Sequence, residues 1–291
     1  MTNNTFSADD RPLNGIQIVS LALNIPGPVA ASRLRELGAT VRKIEPPAGD
    51  ALAAASPAWY RELHAGMEVA RLDLKVPQQR AQLDQQLAAV DVLLTAQRPT
   101  ALERLGLGWK RIHTQFPRLC HVALVGEGGA RSDAPGHDLT YQAHVGLLRP
   151  PQLPNTLLAD LGAAEALVSA TLALLLARER GHGVGYREVA LVEVARTFSP
   201  TLRYGLTVPD GPLGGGSPNY NLYQTRQGWV ALAALEPHFW SAIERACGRQ
   251  SPTYADLQAF FTSRTAQEWE AWAAEHNVPL AAVREVEDAS W

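Results

Sequence analysis

The sequence predicts an α/β fold: a parallel sheet with helices on both faces in a first domain, followed by a smaller α+β domain. Three observations predict it. Short β-branched runs alternate with helical segments up to about residue 190. The chain opens with a strand–helix–strand unit, which implies parallel pairing. The composition then changes at a Gly/Pro-rich stretch, VPDGPLGGGSPN, residues 208–219.

Taken in order, GIQIVSL (15–21) is β-branched and bounded by turn residues, so it reads as a buried strand. ALNIPGP follows as a loop, and Pro28 suits the first turn of a helix through VAASRLRELG that stops at Gly38. ATVRKIEPP is the second strand. Residues 78–89 read as helix, DVLLTA as strand, 101–114 as helix and LCHVALVG as strand. A helix begins near Asp138, and a long one covers 161–180. GYREVALVEV is a strand running into a helix start. Beyond the Gly/Pro-rich stretch, which is a linker or an active-site loop, NLYQTRQGWVALAAL reads as a hairpin turning near 226–228. Helices at 238–247, 254–263 and 266–276 complete it. The domains are therefore expected at 12–207 and 208–291.

Composition sets bounds on function. The 291 residues are 46% hydrophobic and 19% charged, ordinary for a soluble globular protein. A net charge of −3 gives no global field for nucleic acid or an anionic membrane. The cations are nearly all arginine, with lysine only at Lys43, Lys75 and Lys110. Two cysteines, Cys120 and Cys247, form no CxxC or zinc spacing, so a cytoplasmic setting and no metal are expected. The N-terminus MTNNTFSADDRP lacks the basic start and apolar core of a signal peptide. The apolar run 163–177 is short for a membrane span and reads as a buried helix.

Several common chemistries are absent by motif. LNIPGPVA stands where a dinucleotide fold carries GxGxxG, which disfavours NAD or FAD by that route. Neither a P-loop nor a GxSxG elbow occurs.

Three acidic or imidazole positions carry chemistry, each with two readings. In APGHDLTYQAHVG, Asp138 is an N-cap beside an incidental His137. Alternatively, Gly136 lets a ligand approach the helix start, the Asp138 N–H faces a developing negative charge, and His137 moves a proton. In NTLLADLGAAEA, Asp160 is an N-cap or a carboxylate at a helix start with room for substrate. In ALEPHFW, Glu236 is a solvated first-turn charge or a partner that orients a histidine.

Together these pieces resemble the family III CoA-transferases (the CaiB/BaiF group), which include the α-methylacyl-CoA racemases. PLNGIQIVSLALNIPGPVAASRLRELGATVRKIEPPAGD looks like the family's opening, and LDLK, VDVLLTAQRP and ERLGLGW follow in family order. PGHDLTYQAHVG, LLADLGAAEA, PNYNLYQTRQGW and ALEPHFW are similar to the racemase branch, since transferases usually carry an aromatic at the position of His137. The resemblance implies an interlocked homodimer, each chain with a Rossmann-like large domain and a small domain. It puts His137 and Asp160 at the racemase acid/base positions, Asp138 at the oxyanion-facing amide, and Glu236 at the carboxylate supporting the histidine. The implied activity is inversion of the α-carbon of a 2-methylacyl-CoA through an enolate, with the CoA thioester as substrate and no cofactor required. In the transferase branch Asp160 would instead form an acyl anhydride while CoA moves between carboxylic acids.

The chain departs from the family pattern in three places. The basic stretch that holds CoA phosphates before LDLK is here HAGME (64–68), in which Glu68 would repel an anion. Arg61, Arg71, Lys75, Arg98 and Arg104 remain nearby in sequence as candidate substitutes. The glycine loop GEGGARSDAPGHD is altered, and the chain stops at Trp291, before the family's return to the large domain. A degenerate member acting as a binding subunit, or as the partner of a longer paralogue, is the reading these departures favour.

Overall fold

Alternation of apolar strands with proline-started helices builds the first unit. The computed structural model describes residues 10–285. The polar stretch read at 1–9 and the end of the second expected domain, 286–291, lie outside the described residues.

The elements follow in chain order: β1 (Gln17–Ser20), α1 (Pro26–Glu36), β2 (Thr40–Glu45), α2 (Ala51–Ala55), α3 (Pro57–Leu63), β3 (Glu68–Arg71) and α4 (Pro77–Leu87). Then come β4 (Val92–Thr95), α5 (Pro99–Arg104), α6 (Trp109–Gln115), β5 (Cys120–Val125), α7 (Asp138–His144), α8 (Leu158–Glu179), β6 (Tyr186–Ala190) and α9 (Leu191–Thr197). Proline stands in the first turn of α1, α3, α4 and α5, where its missing N–H would have no helical partner anyway.

The six strands pair in parallel in the order β3-β2-β1-β4-β5-β6. Successive residues of one strand bury on opposite faces. Ile18, Val92 and Leu94 pack with α1 and α8, whereas Val19 and Leu93 pack with Leu83 and Leu87 of α4 and Ile112 of α6. Helices therefore cover both faces, as expected. The chain moves outward from β1 to β3, then returns to pair β4 with β1. That reversal opens a crevice at the carboxyl ends of β1 and β4, where open α/β sheets bind ligands.

Two expectations about elements change. The helix expected over 101–114 is two helices, because the chain turns at Gly106, whose φ is +67°, and restarts after Gly108. The long helix begins at Leu158. At 22 residues it is long and apolar enough by composition to cross a membrane. It buries Ala163, Ala164, Leu167, Val168, Thr171, Leu174 and Leu175 in this unit, which is the behaviour of a core helix.

The second unit starts at Pro200. The expected boundary at 207/208 lies eight residues later, but α10 (Pro200–Arg203) bonds forward into the glycine-rich stretch, where the Leu206 N–H donates to the Thr201 carbonyl and that of Leu213 to Leu206. β7 (Tyr220–Gln224) and β8 (Trp229–Ala233) form the expected hairpin, and α11 (Pro237–Cys247), α12 (Tyr254–Phe261) and α13 (Ala266–His276) follow. Thr253 and Thr265 cap α12 and α13 through reciprocal bonds with Asp256 and Glu268. A short strand, β9 (Leu280–Ala282), extends the hairpin to an antiparallel three-stranded sheet. Tyr223, Val230, Ile243, Phe261 and Trp269 fill this unit's own core.

Candidate active site

A pocket of about 280 Å³ opens in the first unit at the carboxyl ends of β1, β4, β5 and β6. Its lining includes Asn24 and Pro26 after β1, Ala96 and Arg98 after β4, Gly126 after β5, and Gly136, His137, Tyr141 and Asp160. It sits at the crevice that the strand order creates.

His137 is the N-cap of α7, in extended conformation, with an exposed side chain. Its backbone N–H donates to the Thr140 hydroxyl, and the Thr140 N–H donates back to the His137 carbonyl. The imidazole is thus held at a fixed helix entry. Asp138 is the first helical residue. Its N–H precedes the intrahelical bonds, which start at Thr140, so it is available to a ligand.

The Asp138 carboxylate has a use that neither sequence reading included. It is buried, and Oδ1 accepts the N–H of Ala159 at 2.7 Å and of Asp160 at 3.0 Å. These are the second and third amides of α8, which an N-cap side chain normally satisfies. The actual N-cap is Leu157, which makes no side-chain cap bond. Asp138 therefore caps the next helix, across twenty-one residues, rather than its own. Gln142 holds its other oxygen, donating from Nε2 to Oδ2 at 2.6 Å.

Asp160 is the third residue of α8 and not its cap. Burial first, and then the negative charge of Asp138, push its carboxyl up to about 6, while His137 pulls the other way. A carboxyl in this range exchanges protons near neutrality.

Gly136 lines the pocket and also packs closely on Tyr141. A Cβ at Gly136 would lie 2.4 Å from the Tyr141 hydroxyl, and one at Gly126 would lie 2.3 Å from it. Both glycines make space for Tyr141. Burial, with the charges of Asp160 and Glu127, raises the Tyr141 phenol above its ordinary pKa.

Of the five basic residues singled out, Arg98 alone lines this pocket. It is exposed and forms no ion pair among the described residues. Arg71 lies 3.8 Å from Glu45, and Arg104 donates to the Thr100 carbonyl. Lys75 is exposed. Glu236 is in the second unit, exposed at the N-cap of α11.

HAGME is reassigned. Glu68 pairs with Arg42, so its charge is matched. Gly66 and Glu68 line a different hollow, with Gln17, Thr40 and Arg42 at the amino ends of β1 and β2. His64 is buried, and its Nε2 lies 2.8 Å from Lys43 Nζ. Lys43 is 1% exposed; its ammonium donates to Asp50 Oδ2 at 2.5 Å, meets His64 Nε2 and pairs with Glu45 Oε1 at 3.3 Å. Since His64 accepts there, its Nδ1–H donates to the Tyr60 carbonyl at 2.6 Å, and burial lowers its pKa. Asp50 also accepts the Asn24 N–H at 3.1 Å. This ion cluster therefore holds the loop that lines the pocket, and nothing in the sequence pattern signalled it beyond the rarity of lysine.

Comparison with known proteins places these features. The model of CoA-transferase family III matches residues 13–290. A probable fatty acyl-CoA transferase of Mycobacterium tuberculosis is 26% identical, covering 89% of this chain and 79% of its own length. The α-methylacyl-CoA racemase of Homo sapiens is 30% identical over 82% of this chain, which spans 65% of the racemase's length. A crystal structure of a Mycobacterium tuberculosis protein superposes with a TM-score of 0.84 at 26% identity, covering 95% of this chain and 84% of that one.

Proposed function

The chain belongs to CoA-transferase family III, and on that premise we propose that it inverts the α-carbon of a 2-methylacyl-CoA by two-base proton transfer. One observation carries this reading: His137 and Asp160 line a single pocket. Inversion needs a base on one face of the carbon and an acid on the other. In one direction His137 takes the α-proton, the electron pair moves into the thioester carbonyl, and protonated Asp160 delivers a proton to the opposite face. In the other direction the roles exchange. A carboxyl near pH 6 supplies both forms at neutrality. The Asp138 N–H, at the positive end of α7, stabilises the enolate oxygen, and losing such a donor costs about 10²–10³ in rate.

Arg98 is the proposed contact for a phosphate or the pantetheine end of CoA, and the remote handle contributes binding energy that positions the reacting carbon. Arg71, Lys75 and Arg104 are further candidates for the phosphates. Glu236 is retained as the carboxylate that supports His137, a role that rests on the resemblance alone. The proposed working form is a homodimer in the cytoplasm.

A second reading has its own support. The Asp160 carboxylate opens onto the pocket, and several relatives are named as CoA-transferases, so transfer through an Asp160 acyl anhydride is the competing reaction. Deuterium wash-in at the α-carbon of a 2-methylacyl-CoA separates the two. Exchange that His137→Ala abolishes supports inversion. CoA passing to a free acid, with an intermediate trapped by hydroxylamine at Asp160, supports transfer. Calorimetry that detects no acetyl-CoA binding at millimolar concentration defeats both.

A further inference from the structure

We infer that the Asp138 carboxylate, oriented by Gln142, is a positioning group for Asp160: it replaces the missing cap of α8, fixes that helix's first turn against α7, and presents its charge to the Asp160 carboxyl. This deepens the proposed reaction and rests on it for its catalytic meaning, but the arrangement is independent of any substrate.

Three features of the geometry point to it. Leu157, the N-cap of α8, offers no polar side chain, so its second and third amides depend on Asp138 Oδ1. One of those amides is Asp160's own, so the Asp138 carboxylate fixes the backbone from which the Asp160 side chain projects. Gln142 is 2% exposed and spans the junction, donating to Asp138 Oδ2 at 2.6 Å and reaching the Thr156 carbonyl at 3.4 Å in the segment before α8. A buried glutamine with its amide directed in this way fixes the Asp138 carboxylate at the junction.

The consequence is a division of labour between two carboxyls at one helix start. Three donors and the start of α8 converge on the Asp138 carboxylate. Asp160, buried and close to that charge, is left to carry the exchangeable proton. The other group that acts on it is His137, while Asp160 itself, with Glu127 and Arg98, acts on Tyr141.

The test reads Asp160 directly in the substrate-free protein. Carboxyl ¹³C NMR of aspartate-labelled protein, with Asp160→Asn to assign the resonance, gives its midpoint. Backbone amide exchange at Ala159 and Asp160 reports the cap. In Asp138→Asn the side-chain oxygen still accepts both amides but the charge is gone. The expected result is a midpoint at least 0.5 pH unit lower, with amide exchange changed less than threefold. In Gln142→Leu the amides should exchange at least tenfold faster, and this variant carries the test if Asp138→Asn does not fold. An unchanged Asp160 midpoint in Asp138→Asn, or unchanged amide protection in Gln142→Leu, overturns the inference. If the wild-type protein titrates as expected yet exchanges no α-proton, the proposed reaction fails while this inference stands.

Discussion

Replacing Asp160 by asparagine should make the protein more stable at neutral pH, and the gain should vanish in acid. An unfolded aspartate loses its proton near the reference value of 3.8, whereas burial and Asp138 hold the folded carboxyl to about 6. Between those values the folded protein binds the proton that the unfolded chain has released. Stability therefore falls as pH rises through that window, and the loss is complete above 6. Two pH units at 1.36 kcal/mol each make about 3 kcal/mol, and solvent reaching the carboxyl from the pocket reduces this to about 2 kcal/mol. For a unit of this size that is about 4–8 °C in Tm. The assay is thermal unfolding of both proteins from pH 3.5 to 8. Other titrating groups contribute equally to both and cancel in the difference. The expected curve is a Tm gap in favour of Asp160→Asn that opens between pH 4 and 6 and is flat above 7. A gap independent of pH, or one that widens toward acid, refutes the claim that the fold holds Asp160 at a cost.

Two further outcomes follow from packing and charge. Lys43→Met strands two buried carboxylates and the acceptor nitrogen of His64, and should cost about 3–5 kcal/mol in urea unfolding, part of which a second substitution, Asp50→Asn, restores. Gly126→Ala drives a methyl into the Tyr141 hydroxyl with the next ring atom 3.1 Å away, so it should cost about 1–3 kcal/mol and be relieved by Tyr141→Phe. Gly136→Ala should not be relieved by that change, because ring carbons of Tyr141 also stand at 2.6 Å; thermal unfolding of the two double variants distinguishes the cases.

Five strands of the six-stranded sheet were legible because each carries a short apolar run, such as VLLT of β4 or CHVALV of β5, while β3, the mostly exposed EVAR, escaped. The pieces that escaped lack such a signal. α2 and α3 are five and seven residues with few buried positions, and β9 is three residues that pair only because β8 is already in place. The site was half legible. His137, Asp138 and Asp160 converge on one helix junction, and their motifs singled them out. What they bond to was not legible, because Asp138 Oδ1 finds its amides twenty-one residues away and Lys43 finds His64 at the same sequence distance. HAGME was read from what it lacks, the basic side chains of a family pattern. Its structure follows from where His64 falls, at the end of α3 and above a buried ammonium.

The capping of α8 by a residue of α7 also bears on where new sequence can be introduced. His137 and Asp138 are adjacent, and through them the proposed acid–base pair is anchored on both sides of residues 145–157. That connection is largely exposed at Gly146 and from Arg149 to Gln152. Grafts that lengthen or replace residues 150–152 while sparing Arg149 and Thr156 leave both anchors in place. A library diversified there would vary an exposed connection against an unchanged helix junction.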